Sequence, residues 1–122
     1  MNRIEEFTID GKNFVLIDFS NLKTDIGYLE LIDSVKPVIA KYPENSLHTI
    51  TNIKGVTIDS NSKEITVEYL KHNKPYVRYG VIIGLDGVKK LIAETFMRLS
   101  GRRNLHFAFT KEKAVEWLLE QE

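Results

Sequence analysis

The sequence predicts an α/β fold, with a five-stranded, mixed but mostly parallel sheet, an N-terminal β-hairpin and about four helices. Three observations predict it. An Asp10-Gly11 pair lies between two apolar segments, which is typical of a two-residue hairpin. Later apolar runs are continuous, as in strands buried on both faces of a parallel sheet. Strand-like and helix-like segments then alternate along the chain, and the 122-residue length suits a single domain over residues 1–122.

The first two strands are predicted on either side of Asp10-Gly11. Residues 7–9 alternate between apolar and polar, and residues 14–17 form a continuous apolar run. Both central positions of such a turn need a positive φ, which Asp-Gly tolerates. We therefore expect strands 1 and 2 to form an antiparallel hairpin.

The first helix is predicted to begin at Thr24 or Asp25, either of which can cap it. Pro37 lies inside the helical pattern and cannot donate to the carbonyl four residues back, so it should kink the helix or start a second short one. Pro43 ends the pattern. The apolar stripe recurs at intervals of three and four residues: Tyr28, Leu31, Ile32, Val35, Ile39 and Tyr42.

Residues 47–53 are predicted as the third strand, and residues 58–73 are ambiguous. Alternation from Ile65 to Tyr69 fits a strand, whereas the same two residues also fit a helix with Ser62 as its cap. The helix is favoured because two parallel strands need a crossover connection between them.

The last half of the chain predicts two further strand–helix units. Residues 76–85 form the fourth strand, after which Asp86 caps a helix that Gly101 closes. Residues 105–109 form the fifth strand, and Thr110 caps the final helix. Arg98, Arg102 and Arg103 fall at the C-terminal end of the third helix, where cations complement the helix dipole.

Composition excludes several classes of function. Seventeen basic residues balance seventeen acidic ones, whereas nucleic-acid-binding domains usually carry a basic excess, so no nucleic acid is expected. The absence of cysteine excludes disulfides and thiolate metal sites and is compatible with a reducing compartment. The first six residues contain acids where a signal peptide has bases, and the longest apolar run, residues 81–85, is too short to span a bilayer. We therefore expect a cytoplasmic protein without membrane insertion.

Polar and glycine residues follow the predicted parallel strands. Ligands of open parallel sheets bind beyond the carboxyl ends of the strands, so a site for a small ligand or a protein partner is predicted there. Alternatively, Asp86 is only a cap and the glycines are only turn residues. We name this set the strand-end rim: Ser20, Asn21, Asn52, Lys54, Gly55, Gly84, Asp86 and Gly87.

No motif predicts catalysis, a metal or a cofactor. His48, His72 and His106 are scattered, without the spacing of a metal site. His48 and His106 are expected to be hydrogen-bonded structural residues within strands, and His72 lies at the end of a helix. Gly80, Gly84 and Gly87 do not match a dinucleotide or P-loop motif. The chain is therefore not expected to be an enzyme.

Six segments spread over most of the chain carry a family pattern. They are residues 14–18 (FVLID), 45–47 (NSL), 52–56 (NIKGV), 73–77 (NKPYV), 84–90 (GLDGVKK) and 109–118 (FTKEKAVEWL), the last being the most specific. Together they resemble small bacterial STAS-type proteins, stand-alone relatives of the sporulation anti-sigma-factor antagonist that are grouped near the CRAL-TRIO lipid-binding domains.

The resemblance implies a regulatory or ligand-responsive module. In the anti-sigma antagonists, a serine in an Asp-x-Ser-Gly-like setting after the third strand is phosphorylated. Here Asn52 replaces the aspartate and Lys54 replaces the serine, so the resemblance does not extend to that phosphorylation switch.

The CRAL-TRIO kinship implies an alternative function, which is to carry a small apolar or lipid-like ligand between the helices and the sheet. Its pocket would be lined by Tyr28, Leu31, Phe96 and Met97, although plain core packing also explains these residues. Because Met97 lies off the main stripe of its helix, an exposed patch for a homodimer or another partner is a further alternative.

Overall fold

The computed structural model describes residues 2–22, 26–56 and 62–121. Its five strands form one sheet in the order β1-β2-β3-β4-β5, with β1 and β2 antiparallel and the other neighbouring pairs parallel. The predicted α/β fold class, with a mixed sheet, an N-terminal hairpin and four helices, is confirmed. The strands are β1 (Ile4–Ile9), β2 (Lys12–Asp18), β3 (Leu47–Asn52), β4 (Val77–Ile83) and β5 (Leu105–Ala108).

The predicted hairpin is present. Ile9 pairs with Lys12, and the two residues between them have positive φ values of 51° at Asp10 and 78° at Gly11. These are the angles that a type I′ turn needs, so the Asp-Gly pair fixes the register of β1 on β2. β1 extends further towards the N-terminus than the predicted 7–9.

The helices are α1 (Ile26–Ala40), α2 (Lys63–Asn73), α3 (Gly87–Ser100) and α4 (Lys111–Glu120). α1 continues through Pro37 as one helix, so the alternative of a second short helix is wrong. The proline costs one backbone hydrogen bond, whereas the buried stripe of α1 continues past it to Ile39. Tyr42 lies beyond the end of α1, and the predicted caps Thr24 and Asp25 lie outside the described residues.

The ambiguous segment forms the helix that the crossover argument favoured. Ser62 occupies the N-cap position of α2, but its side chain makes no capping hydrogen bond. The predicted start at Ile58 lies outside the described residues.

The caps of α3 and α4 are confirmed. The Asp86 side chain accepts a hydrogen bond from the backbone N–H of Lys89 at 2.9 Å, and the Thr110 hydroxyl accepts one from Lys113 at 3.1 Å. Gly101, with φ of 75°, closes α3 in the left-handed conformation expected of a residue at this position.

Two hydrophobic cores lie on opposite faces of the sheet. Because neighbouring side chains of a strand point to opposite faces, Phe14 joins the core beneath α4, whereas Val15 joins the core beneath α1 and α2. α3 packs beside α2. Three helices therefore cover one face of the sheet, and α4 covers the other.

Candidate functional site

The strand-end rim forms where β2, β3 and β4 end side by side. The backbone N–H of Phe19 donates to the carbonyl of Asn52 at 2.8 Å, and that of Asn21 donates to Lys54 at 2.8 Å. Ile53 likewise donates to Ile83 at 3.0 Å. These bonds continue the sheet ladder past the last strand residues and hold the loops together.

Two glycines allow the rim loops to approach closely. A Cβ on Gly84 would lie 2.5 Å from the backbone N of Lys54 and 2.9 Å from Oδ1 of Asn52, and the φ of Gly84 is +87°. A Cβ on Gly55, whose φ is +73°, would lie 2.3 Å from Oδ1 of Asn21. Gly84 therefore has no room for a side chain against the backbone, whereas a side chain at Gly55 would have to displace that of Asn21.

Much of the polar capacity of the rim is used internally. The Asn52 side chain accepts from the backbone N–H of Lys54 at 3.1 Å, and the Asp18 side chain accepts from Ser20 at 2.9 Å. The carbonyl of Ser20 accepts from Arg3 at 3.0 Å. The rim thus holds its own loops in place and leaves Lys54 exposed.

The structure brings part of the predicted rim together. Asn21, Asn52, Lys54, Gly55 and Gly84 are in mutual contact through the bonds and close approaches above. Asp86 is used as the cap of α3, as the alternative interpretation held, and within the described chain no other segment comes within 4 Å of a Cβ built on Gly87.

The histidines do not form a polar site. His48 is buried at 3% exposure, and neither ring nitrogen has a hydrogen-bond partner in the described part of the chain. Its ring instead lies 5.5 Å from that of Phe14 and 6.3 Å from that of Tyr79. The exposed His106 contacts Trp117, with ring centroids 4.2 Å apart. The expectation of a hydrogen-bonded histidine is wrong for His48, whose ring packs against aromatic rings instead.

His48 makes the stability pH-dependent. Burial lowers the pKa of His48, and the positive charges of Lys12 and Arg78 lower it further by a smaller amount. The backbone of Asn13 opposes this shift, although it does not reach hydrogen-bonding geometry with the ring. The folded state therefore binds fewer protons than the unfolded chain below about pH 6.5, so acid lowers the stability until the folded ring itself becomes protonated.

We expect the His48→Phe variant to lose stability less steeply on acidification. The slope between about pH 6.5 and 5 should fall by at most about 1.4 kcal/mol per pH unit, the limit for one proton. Urea unfolding at a series of pH values measures it. An unchanged slope in His48→Phe would contradict the assignment.

An internal cavity of about 80 Å³ lies between the sheet and helices α1, α2 and α3. Tyr28, Phe96 and Met97 line it, as the alternative interpretation expected. Leu31 does not; it is buried in the core between α1 and the sheet instead. Apolar side chains form most of the wall, including Ile17, Phe19 and Ile82.

Buried polar side chains also stand in this mostly apolar wall, among them Thr49, Tyr69, Asn73 and Arg102, and two of these four have a polar atom without a partner in the described chain. Arg102 is 4% exposed; its Nε donates to Oδ1 of Asn104 at 2.9 Å and its Nη1 to the carbonyl of Leu70 at 3.2 Å. Its Nη2 has no partner among residues 2–22, 26–56 and 62–121. The Tyr69 hydroxyl, 5% exposed, has none there either. By contrast, the hydroxyl of Tyr28 is paired with that of Thr66 at 2.7 Å.

Burial shifts the ionisation of both groups. It lowers the pKa of Arg102 to about 10, with Tyr69 opposing the shift, so the guanidinium stays charged at neutral pH. Burial raises the pKa of Tyr69, while nearby Asn73 and Arg102 oppose this shift. Asn73 does not reach hydrogen-bonding geometry with the hydroxyl. The two groups are therefore close enough to interact, and Tyr69 remains a neutral hydrogen-bond donor.

The end of α3 directs Arg102 inward. After Gly101 reverses the chain, the backbone N–H of Arg102 donates to the carbonyl of Met97 at 3.2 Å. Asn104, which holds Nε, is itself fixed by donating to the carbonyls of Val77 and Arg78 at 2.6 and 3.0 Å. Interpreting Arg102 only as a helix-end cation was wrong, because its side chain is buried whereas that of Arg103 is exposed.

No protein-family model fits the chain, and no curated protein is significantly similar to it. The STAS-type resemblance therefore stays a prediction. Within the described ranges, no helix has the length and apolar character needed to cross a membrane. The same residues contain no group of three or more histidine, aspartate or glutamate side chains arranged to hold a metal ion.

Proposed function

We propose that this protein is a binding module that holds a compact, largely apolar ligand in the internal cavity. The observation that carries the proposal is the cavity itself, which lies between the sheet and three helices and is lined mostly by apolar side chains. Well-formed apolar cavities with a few convergent polar groups are the usual form of small-molecule sites.

The size of the cavity limits the ligand. Its volume of about 80 Å³ is roughly half that of an engineered cavity of about 150 Å³ that binds benzene. A molecule smaller than benzene is therefore the scale that fits. A lipid-sized molecule does not fit this arrangement of helices, so the proposal retains the small apolar ligand and leaves out the lipid-like one.

Filling the cavity should abolish binding and stabilise the fold. Ala93 is buried on α3 and lines the cavity. We expect Ala93→Leu to raise the free energy of unfolding by about 0.5–2 kcal/mol, as cavity-filling substitutions do. Urea unfolding measures this change.

The binding test uses propionamide, a neutral molecule of the required size, in an NMR titration of ¹⁵N-labelled protein. Wild-type protein should show saturable shifts at the amides of Tyr69, Phe96 and Met97, and Ala93→Leu should not. Ala40→Leu adds the same side chain at an exposed position of α1 and should bind as wild type does. Absence of saturable shifts in the wild type would contradict the proposal.

A second candidate is a regulatory protein contact at the strand-end rim, the function that the STAS-type resemblance implies. Phe109, 95% exposed, supports it, because this residue follows β5 at the edge of the sheet where Lys54 also lies. A second copy of the chain is the simplest partner. Sedimentation over a concentration series should show a dimer that Phe109→Ala weakens; a wild type that stays monomeric would remove this candidate.

A further inference from the structure

Two hydrogen-bond donors in the wall of the internal cavity lack partners. Nη2 of Arg102 and the hydroxyl of Tyr69 are both buried, and neither has an acceptor within the described residues. Leaving a buried donor unsatisfied costs about 1–3 kcal/mol, and more when the donor is charged. Native proteins rarely retain such groups without a role, so these two donors indicate the chemistry of the ligand.

The charge of Arg102 also lacks a counterion. The ion pairs that the structure shows, Lys36–Glu68, Lys41–Glu6 and Lys111–Glu5, involve other residues and lie at the surface. Within the described chain, no carboxylate pairs with Arg102, which is held by neutral acceptors alone. A buried charge is normally paired, because burial without a partner is costly.

We propose that the cavity binds a small monocarboxylate, whose two oxygens accept hydrogen bonds from Nη2 of Arg102 and the hydroxyl of Tyr69. Its short apolar part lies against Phe96 and Met97. This inference rests on the proposed function, since it names the ligand class of the same cavity. Two donor groups and one positive charge match a carboxylate, whereas a phosphate group brings about 1.5–2 negative charges and three acceptor oxygens.

The guanidinium is held in place before any ligand binds. Nε donates to Asn104 and Nη1 donates to the carbonyl of Leu70. Asn104 is in turn fixed by its hydrogen bonds to the carbonyls of the first two residues of β4. Among the described residues, Nη2 is the one guanidinium nitrogen without any partner. A donor that is already ordered loses little conformational freedom on binding, which favours recognition of a small molecule.

The test compares propionate with propionamide, which have nearly the same shape but differ in charge. At a limit of about −1.5 kcal/mol per non-hydrogen atom, such ligands bind no tighter than about micromolar, so NMR titrations should extend to millimolar concentrations at constant ionic strength. We expect propionate to bind wild-type protein at least about 10-fold more tightly than propionamide, because hydrogen bonds to charged groups are the stronger ones.

Three variants separate ligand recognition from structural support. Arg102→Met removes the charge and should abolish the preference for propionate. Tyr69→Phe keeps the ring, should reduce the preference, and supplies the test if Arg102→Met does not fold. Arg103→Met removes an exposed neighbouring charge and should keep the wild-type preference.

The possible outcomes distinguish this inference from the proposed function. Equal affinity for propionate and propionamide would overturn the inference and leave the proposed function standing. A propionate preference that survives in both Arg102→Met and Tyr69→Phe would also overturn it. Binding of neither molecule would overturn both proposals.

Discussion

Replacing Phe14 with alanine is expected to lower the free energy of unfolding by about 3–5 kcal/mol, the usual cost of removing a fully buried phenylalanine. Phe14 is 0% exposed in the core beneath α4. Its ring stacks on Phe7 at 5.1 Å and lies 5.5 Å from the ring of His48. Truncating the side chain to alanine therefore leaves a cavity, because the rings that surround it are packed and cannot move in to fill it.

Urea unfolding followed by the fluorescence of Trp117, the single tryptophan of the sequence, measures this loss. Phe109→Ala makes the same chemical change at a 95% exposed position and, at a protein concentration where the chain is monomeric, should alter the stability by no more than about 0.5 kcal/mol. A loss of less than about 1 kcal/mol in Phe14→Ala would show that the core beneath α4 is not packed as described.

The Gly84→Ala substitution at the strand-end rim is expected to cost about 2–4 kcal/mol. A left-handed conformation is unfavourable for alanine, and the new Cβ would meet the backbone N of Lys54 at 2.5 Å. Because the Asn52 side chain bonds to that same N–H, the substitution must displace the loop after β3.

Gly87→Ala is the matched control for Gly84→Ala. In the part of the chain that the structure describes, no other segment comes within 4 Å of a Cβ built on Gly87, which is the first residue of α3. Alanine there should be neutral or stabilise by up to about 1 kcal/mol, because alanine has the higher helix propensity. Equal losses of stability in the two variants, measured by urea unfolding, would contradict the close packing of the rim.

Local signals made much of the fold predictable. The Asp10-Gly11 pair specified the hairpin, and Asp86, Thr110 and Gly101 marked the helix ends through bonds that involve only nearby residues. The helix at residues 63–73 was predicted from the crossover that parallel strands need, because its own residues also fitted a strand. The effect of Pro37 was harder to predict, because the packing of α1 on the sheet outweighs the loss of the hydrogen bond that the proline removes.

The meeting of the rim loops was predictable, but the bonds within the rim and the polar groups of the cavity were not. The sheet rule brought Asn52, Lys54 and Gly84 together, yet their bonding to one another depends on distances that no spacing in the sequence reveals. Arg102 and Arg103 are the same residue type in adjacent positions, and only the chain reversal at Gly101 decides which one is buried. The two unpaired donors of the cavity therefore had no signal in the sequence.

The most direct test of a carboxylate in the internal cavity is an isotope-filtered NOE experiment with propionate and uniformly ¹³C-labelled protein. The apolar protons of propionate should show cross-peaks to the ring of Phe96 and the methyl group of Met97, both of which line the cavity. These cross-peaks should disappear in Ala93→Leu. Cross-peaks only to surface residues such as Lys54, or none at saturating propionate, would contradict the account.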